Sequence, residues 1–211
     1  RLALVKHGQS FKTMAITING NGTITGISVG GLPDGIVDTD MIATNAVTAA
    51  KASGSVQGIT EVDSWRITSS QTAAGGTGFF TSNWERDDTS FEKIGTGVTE
   101  SSGVFTFPST GKYLLTPFAY FYHSRESDYV GYQLHLSTDG GSNFNIRLEL
   151  YDSAHGESAY GAVTGQEIID VTNTSNFQFK FGWNVQYDNA TFRGDSNKSR
   201  TGFTVIKLGD T

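Results

Sequence analysis

Gly103-Val104-Phe105-Thr106-Phe107-Pro108-Ser109-Thr110-Gly111-Lys112-Tyr113-Leu114-Leu115, running on through Thr116 to His123, is the stretch that decides the fold. It reads as a strand, a tight proline-glycine corner and then a long strand that is apolar on both faces. Side chains of a strand alternate between its two sides. Phe118, Tyr120 and Tyr122 therefore share one side, and Tyr113, Leu115, Ala119 and Phe121 the other. A strand apolar on both faces has to be covered twice. One cover is the protein's own core, and the second is another sheet or another subunit.

Composition agrees with strands. Glycine is 26 of 211 residues and proline only 3, and the glycines lack the third-residue period of collagen. Ser, Thr, Asn and Gly separate short aromatic and β-branched runs, the pattern of an all-β protein. The length leaves room for one sizeable core and a smaller appendage. Net charge is −6 with no basic stripe, which argues against nucleic acid as a partner. No apolar run approaches the ~18 residues of a membrane span, so membrane insertion is not expected. Cysteine is absent, which excludes disulfides, thiolate chemistry and zinc held by thiolates. Stability has to come from packing or oligomerisation.

The first sixty residues differ from the rest. Arg1 to Thr13 carry cations and no acid but lack an apolar core and a cleavage site, so they do not read as a signal peptide. Met14 is either an internal methionine or the start of a shorter product. Residues 14–60 contain no aromatic residue and cannot build a conventional core. Ala15 to Ile18, Asn19-Gly20-Asn21-Gly22 and Thr23 to Thr25 form a hairpin signal, because Asn-Gly tolerates positive φ. Asp38 or Thr39 caps a short helix expected through Met41, Ile42, Ala46, Val47 and Ala50. Gly54 to Gly58 reads as a linker. The run Met14 to Ser53 is similar to N-terminal segments of fibre-like virion proteins of phages, marine phages especially. The resemblance implies that residues 1–60 are an attachment or shaft segment that contacts other virion proteins, with a head over residues 61–211.

From Trp65 onward strands follow one another. Tyr132, Leu134 and Leu136 alternate against Gln133 and His135; Ile146, Leu148 and Leu150 against Arg147 and Glu149; Phe177 to Tyr187 against Gln178, Lys180, Asn184 and Gln186. About ten strands separated by turn signals make a sandwich or jelly roll. Its core is expected to hold Leu134, Leu136, Ile146, Leu148, Leu150, Phe179, Phe181 and Trp183. The positions Gly103, Phe105, Pro108, Gly111 and Tyr113, with the closing Gly202-Phe203-Thr204-Val205-Ile206-Lys207-Leu208, resemble the signature of C1q/TNF-like jelly rolls. Family members usually end in Gly-Phe-Leu-Leu, so this ending is a departure. The resemblance implies an antiparallel jelly roll and a homotrimer, with Phe118, Tyr120, Tyr122 and, beside them, Trp65 along the trimer interface.

Antiparallel strands place successive connections at alternate ends. Asp139 to Ser142 and Thr172 to Asn176 are short and bland; His123 to Asp128, Asp152 to Tyr160 and Asp188 to Arg200 are long and polar. Function tends to sit on loops carried by a rigid scaffold, so the polar end is the candidate receptor-binding apex. Its donors and acceptors are His123, Arg125, Asp128, His155, Glu157, Arg193, Asp195 and Lys198, and the rings of Phe192, Tyr129 and Tyr160 suit a sugar face. Glu126, Asp128, Asp152 and Asp195 are the candidates to hold calcium through oxygen ligands, but no EF-hand spacing supports it, and the four histidines lack metal-site spacing, so no metal and no cofactor is expected. No Gly-x-Ser-x-Gly elbow or phosphate loop occurs. The expectation is a non-enzymatic virion structural protein, a phage fibre or head-decoration protein on the virion surface, whose trimeric head binds a host-surface glycan or protein. The alternatives are purely structural decoration of a particle and a secreted or cell-surface C1q-like adhesin.

Overall fold

The computed structural model describes residues 58–156, 158–188 and 190–211, together with 17–18 and 24–25. The chain divides into two units, residues 1–51 and 52–211. In the first, β1 (Thr17–Ile18) pairs antiparallel with β2 (Ile24–Thr25), Ile18 opposite Ile24. That is the hairpin expected around Asn19 to Gly22. The expected helix from Asp38 to Ala50 lies outside the described residues.

The second unit is a jelly roll of two antiparallel sheets. The nine-stranded sheet contains β3 (Val62–Ile67), β4 (Gln71–Ala73), β6 (Trp84–Arg86), β7 (Lys93–Ile94), β10 (Gly111–His123), β13 (Ala159–Thr164), β14 (Glu167–Val171), β16 (Ala190–Phe192) and β17 (Gly202–Gly209). The six-stranded sheet contains β5 (Gly76–Phe79), β8 (Thr99–Ser101), β9 (Val104–Thr106), β11 (Ser127–Ser137), β12 (Asn145–Ala154) and β15 (Gln178–Val185). The deciding stretch becomes β9, the corner and β10. Strand β10 is central: β17 and β16 run along one edge, β14 and β13 along the other. Tyr113, Leu115, Ala119 and Phe121 are buried, while Phe118, Tyr120 and Tyr122 are half-buried on the outer face.

Two breaks beside β10 have local causes. Pro117 has no N–H to donate, and its carbonyl accepts from Gly165 N at 3.2 Å and Thr164 Oγ1 at 3.1 Å. The missing donor thus faces the β13/β14 edge, and there the neighbouring strand is interrupted. On the other edge, the connection from Arg193 to Thr201 separates β16 from β17: the Tyr120 carbonyl accepts from Arg193 N at 2.8 Å, and its N–H has no backbone partner there. Thr201, fully buried, fills the gap: Tyr120 N donates to Thr201 Oγ1 at 3.3 Å, and Thr201 Oγ1 lies 3.2 Å from Tyr120 O. Thr201→Val keeps the shape and leaves a buried N–H unpaired, so a stability loss of about 1–3 kcal/mol is expected by denaturant titration. A neutral substitution would mean that water takes over.

The core is mostly aromatic. Phe105 stacks on Phe179 with centroids 5.2 Å apart and meets Phe203 edge-on at 4.7 Å. Each such ring, fully buried, contributes about 1.5–3 kcal/mol relative to exposure. Leu134, Phe179, Phe181 and Trp183 are in the core as expected, and Leu136, Leu148 and Leu150 pack against it partly buried.

Two expectations are corrected. Trp65 does not line an outer face: it is buried in the sandwich, 5.4 Å from the Phe105 ring, with the Arg86 guanidinium 4.7 Å above its own. Strand β3 turns Asp63, Trp65 and Ile67 inward, and Asp63 holds Arg86 through two contacts of 2.9 and 3.1 Å. Ile146 is half exposed, not core. Leu134 faces Leu148 but His135 faces Ile146, so the register shifts between them and Arg147 is extra. One extra residue in a strand reverses which face its neighbours take.

Candidate functional site

The polar end is built from several connections that hold one another. Between β10 and β11, Arg125 lays its guanidinium over the Tyr187 ring at 3.9 Å. Asp128 N donates to Gln186 Oε1 at 2.6 Å, and Gln186 Nε2 donates to Asp128 Oδ2 at 2.7 Å. Asp188 Oδ1 accepts from Gly75 N at 2.6 Å. Arg125 and Asp128 are exposed and stand in this cluster. His155, also exposed, pairs only locally, with Ser153 Oγ two residues before it at 2.8 Å. Glu157 lies outside the described residues. Gln186, Tyr187 and Asp188 were missed as site residues, because only pairing with other loops marks them.

His123 and Phe192 leave the apex. Both are fully buried: His123 is the last inward residue of β10, its Nδ1 accepting from Arg125 N at 3.2 Å, and Phe192 packs on Phe80 at 5.2 Å. The stretch Asp188 to Arg200 is not one loop, because β16 interrupts it. Arg193, Asp195 and Lys198 therefore belong to a second connection, fastened beside β3 and β4. There Asp195 N donates to Ile67 O at 3.0 Å and Gly194 N to Ser70 Oγ at 3.2 Å. The Asn197 N–H and Arg200 hold the Asp195 carboxyl below the usual carboxylate range. Among the described residues, no three His, Asp or Glu side chains converge on a cation position.

A second surface covers the outer face of the nine-stranded sheet. Along β10 the outward row from Leu114 through Phe118, Tyr120 and Tyr122 carries no charge. Its cross-strand neighbours are Ile168, Thr164, Ala162 and Tyr160 on one side and Ile206 and Thr204 on the other. Tyr160, expected at the apex, joins this face: it stacks on Tyr120 with centroids 5.6 Å apart and planes 12° from parallel, and leans on Tyr122 at 5.0 Å. Tyr160, Ile168 and Leu208 are each more than half exposed. Charge borders it in two places: Lys112 and Asp170, paired at 3.6 Å, at the Leu114 end, and Arg66 with Glu85 across Gly202 from Phe118. A contiguous uncharged face of this width marks an interaction surface.

No protein-family profile matches the sequence, and no curated protein does. Solved structures do match the fold. The Eiger TNF of S. frugiperda is similar with a TM-score of 0.57 at 11% identity, over 72% of this chain and 94% of that one. Murine APRIL is similar with a TM-score of 0.51 at 14% identity, over 70% of this chain and 98% of that one. Residues 52–211 thus have the fold of a TNF-like jelly roll.

Proposed function

We propose that this chain is a non-enzymatic virion structural protein, a phage fibre or head-decoration protein, whose TNF-like head forms a homotrimer and binds a host-surface glycan or protein. The observation that carries the reading is the uncharged face around Tyr120. A stable interface buries its apolar centre and leaves polar groups at the rim, and Leu114, Phe118, Tyr120, Tyr122, Tyr160 and Ile168 supply such a centre. The particle role draws on the resemblance of Met14 to Ser53 to phage fibre segments. Geometry within the head supports it. Glu61 O accepts from Lys207 N at 2.9 Å, beside the Tyr113 end of β10, and the cluster of Arg125 and Asp128 lies about 33 Å away at ten residues of strand. One end is thus left for attachment and the other for contact.

The mechanism is adhesion by multiplicity. A weak contact presented three times, on many copies per particle, gains avidity without any tighter single contact. The solution mass by light scattering tests the assembly: a value near three times 22.7 kDa is expected, and a stable monomer would end the reading. Peptides of this chain recovered from purified particles would separate the virion role from that of a secreted or cell-surface adhesin.

A further inference from the structure

The outer face of the six-stranded sheet, opposite the uncharged one, carries an organised set of polar and aromatic groups. Glycines at two outward positions let rings lie down on it. A Cβ on Gly131 would overlap the Tyr151 ring, and one on Gly182 would press on Phe79. Tyr151 then stands at right angles to Tyr129, with centroids 5.9 Å apart and planes at 86°. With Asn184 they form an open corner of about 300 Å³. Both tyrosines and Phe79 keep more than a third of their surface exposed.

The Tyr151 hydroxyl is the centre of a fixed network. It accepts from Gln133 Nε2 at 3.1 Å and Asn184 Nδ2 at 3.0 Å and donates to Glu149 Oε1 at 2.9 Å. Gln133 is almost fully buried; its Nε2 also donates to Glu149 Oε1 at 2.7 Å, and its Oε1 lies 3.2 Å from His135 Nε2. Desolvation by burial, with Lys180 nearby, lowers the His135 pKa, so the imidazole is neutral near pH 7. Beyond it a second cleft of about 540 Å³ opens over Phe79, Gln133 and His135, and Gln133 joins the two. Lys180 stands beside this cleft, its ammonium 3.7 Å from the Phe79 ring and 4.2 Å from that of Phe144.

We infer that this face binds a neutral oligosaccharide, one ring against the Tyr129–Tyr151 corner and the next over the Phe79 cleft. Orientation of the network decides the chemistry. Both Gln133 Nε2 hydrogens are taken, by Glu149 and Tyr151, whereas one Asn184 Nδ2 hydrogen, Asn184 Oδ1 and Glu149 Oε2 have no partner among the described residues. The site therefore offers two acceptors and an amide donor beside flat aromatic faces, and its occupant has to bring hydroxyl groups on an apolar ring face. Hydroxylated sugar rings do both. The charges of Glu149 and Lys180 offset each other on this face, so it has no cationic excess that would select an acidic sugar. Stacking and fixed polar groups placed before binding also reduce its entropic cost. This inference goes beyond the trimer reading and does not need it, since every residue lies within one chain.

The test is an array of neutral oligosaccharides of two to six hexose or N-acetylhexosamine units, followed by calorimetry with the best binder. Full-length protein is compared with Tyr151→Ala, Phe79→Ala and Glu149→Gln, each checked for unchanged solution mass and circular dichroism. Binding that falls at least tenfold in both ring variants and several-fold in Glu149→Gln supports the site. No binding to any neutral oligosaccharide overturns it and leaves the trimer mass as an independent result. Binding that survives the ring variants but is lost in Arg125→Ala or His155→Ala overturns it in favour of the loop end. Choline bound more tightly than any sugar overturns it in favour of a cation site. A drop in mass for Tyr151→Ala would show this face to be a self-association surface instead.

Discussion

Tyr120→Asp is expected to convert the proposed trimer to a monomer without unfolding it. Within one chain the change is mild: Tyr120 is half-buried on the outer row of β10, and the loss is its stacking on Tyr160, about 0.5–1.5 kcal/mol, plus a β-propensity difference of at most ~1 kcal/mol. In a trimer closed over this face, the same change places three carboxylates near one axis. Each ion taken from water costs several kcal/mol. Three like charges add repulsion on the order of 4 kcal/mol for each pair at 4 Å and an effective dielectric of 20. The intermolecular cost exceeds the intramolecular one several-fold, so dissociation precedes unfolding. Light scattering should read one third of the wild-type mass, with the β-sheet circular dichroism retained. Tyr120→Phe, which keeps the ring and adds no charge, should remain trimeric. A trimeric Tyr120→Asp would show that the interface lies elsewhere.

Much of this fold was legible because it rests on period two. The alternation of β10 holds at every position from Tyr113 to His123, and Phe179, Phe181, Trp183 and Val185 of β15 all turn inward. The errors share a cause: alternation says which residues share a face, not which face is covered. Trp65 and His123 obey the alternation and sit on the inner side. Ile146 breaks it at a register shift that only the pairing with β11 shows. The candidate site was harder to read, because its contacts cross between strands. Gln133 and Glu149 are 16 positions apart in sequence, and Tyr151 and Asn184 are 33 apart. No local pattern brings them together. Even Ala190 to Phe192, three residues inside an apparent loop, became a strand because β10 had an open edge there.

The same limit hides Arg66, whose removal should be costly for stability. It points to the outer side of β3 yet is 1% exposed, because residues 85–89 and Ser196 close over it. Its guanidinium reaches Asp87 Oδ1 at 2.6 Å, Glu85 Oε2 at 3.2 Å, Thr89 Oγ1 at 3.1 Å and the Ser196 carbonyl at 2.5 Å. Arg66→Ala leaves these acids crowded with no cation among them. Removing one partner of a buried ion pair costs about 3–5 kcal/mol, and the low end applies because Asp87 and Glu85 keep some contact with water. A loss near 3 kcal/mol lowers the Tm by about 6–12 °C in a chain of this size, measured at fixed protein concentration because association also stabilises. Arg66→Lys keeps the charge but not the planar fork that spans these four partners, so it should fall between. The connection from Arg193 to Arg200 loses its tie at Ser196, so trypsin should cleave after Lys198 and Arg200 faster in Arg66→Ala than in wild type, tracking local opening. A loss below ~1 kcal/mol, the scale of a surface ion pair, with unchanged cleavage, would show that water replaces the guanidinium. The buried arginine would then be a passenger of the loop rather than its anchor.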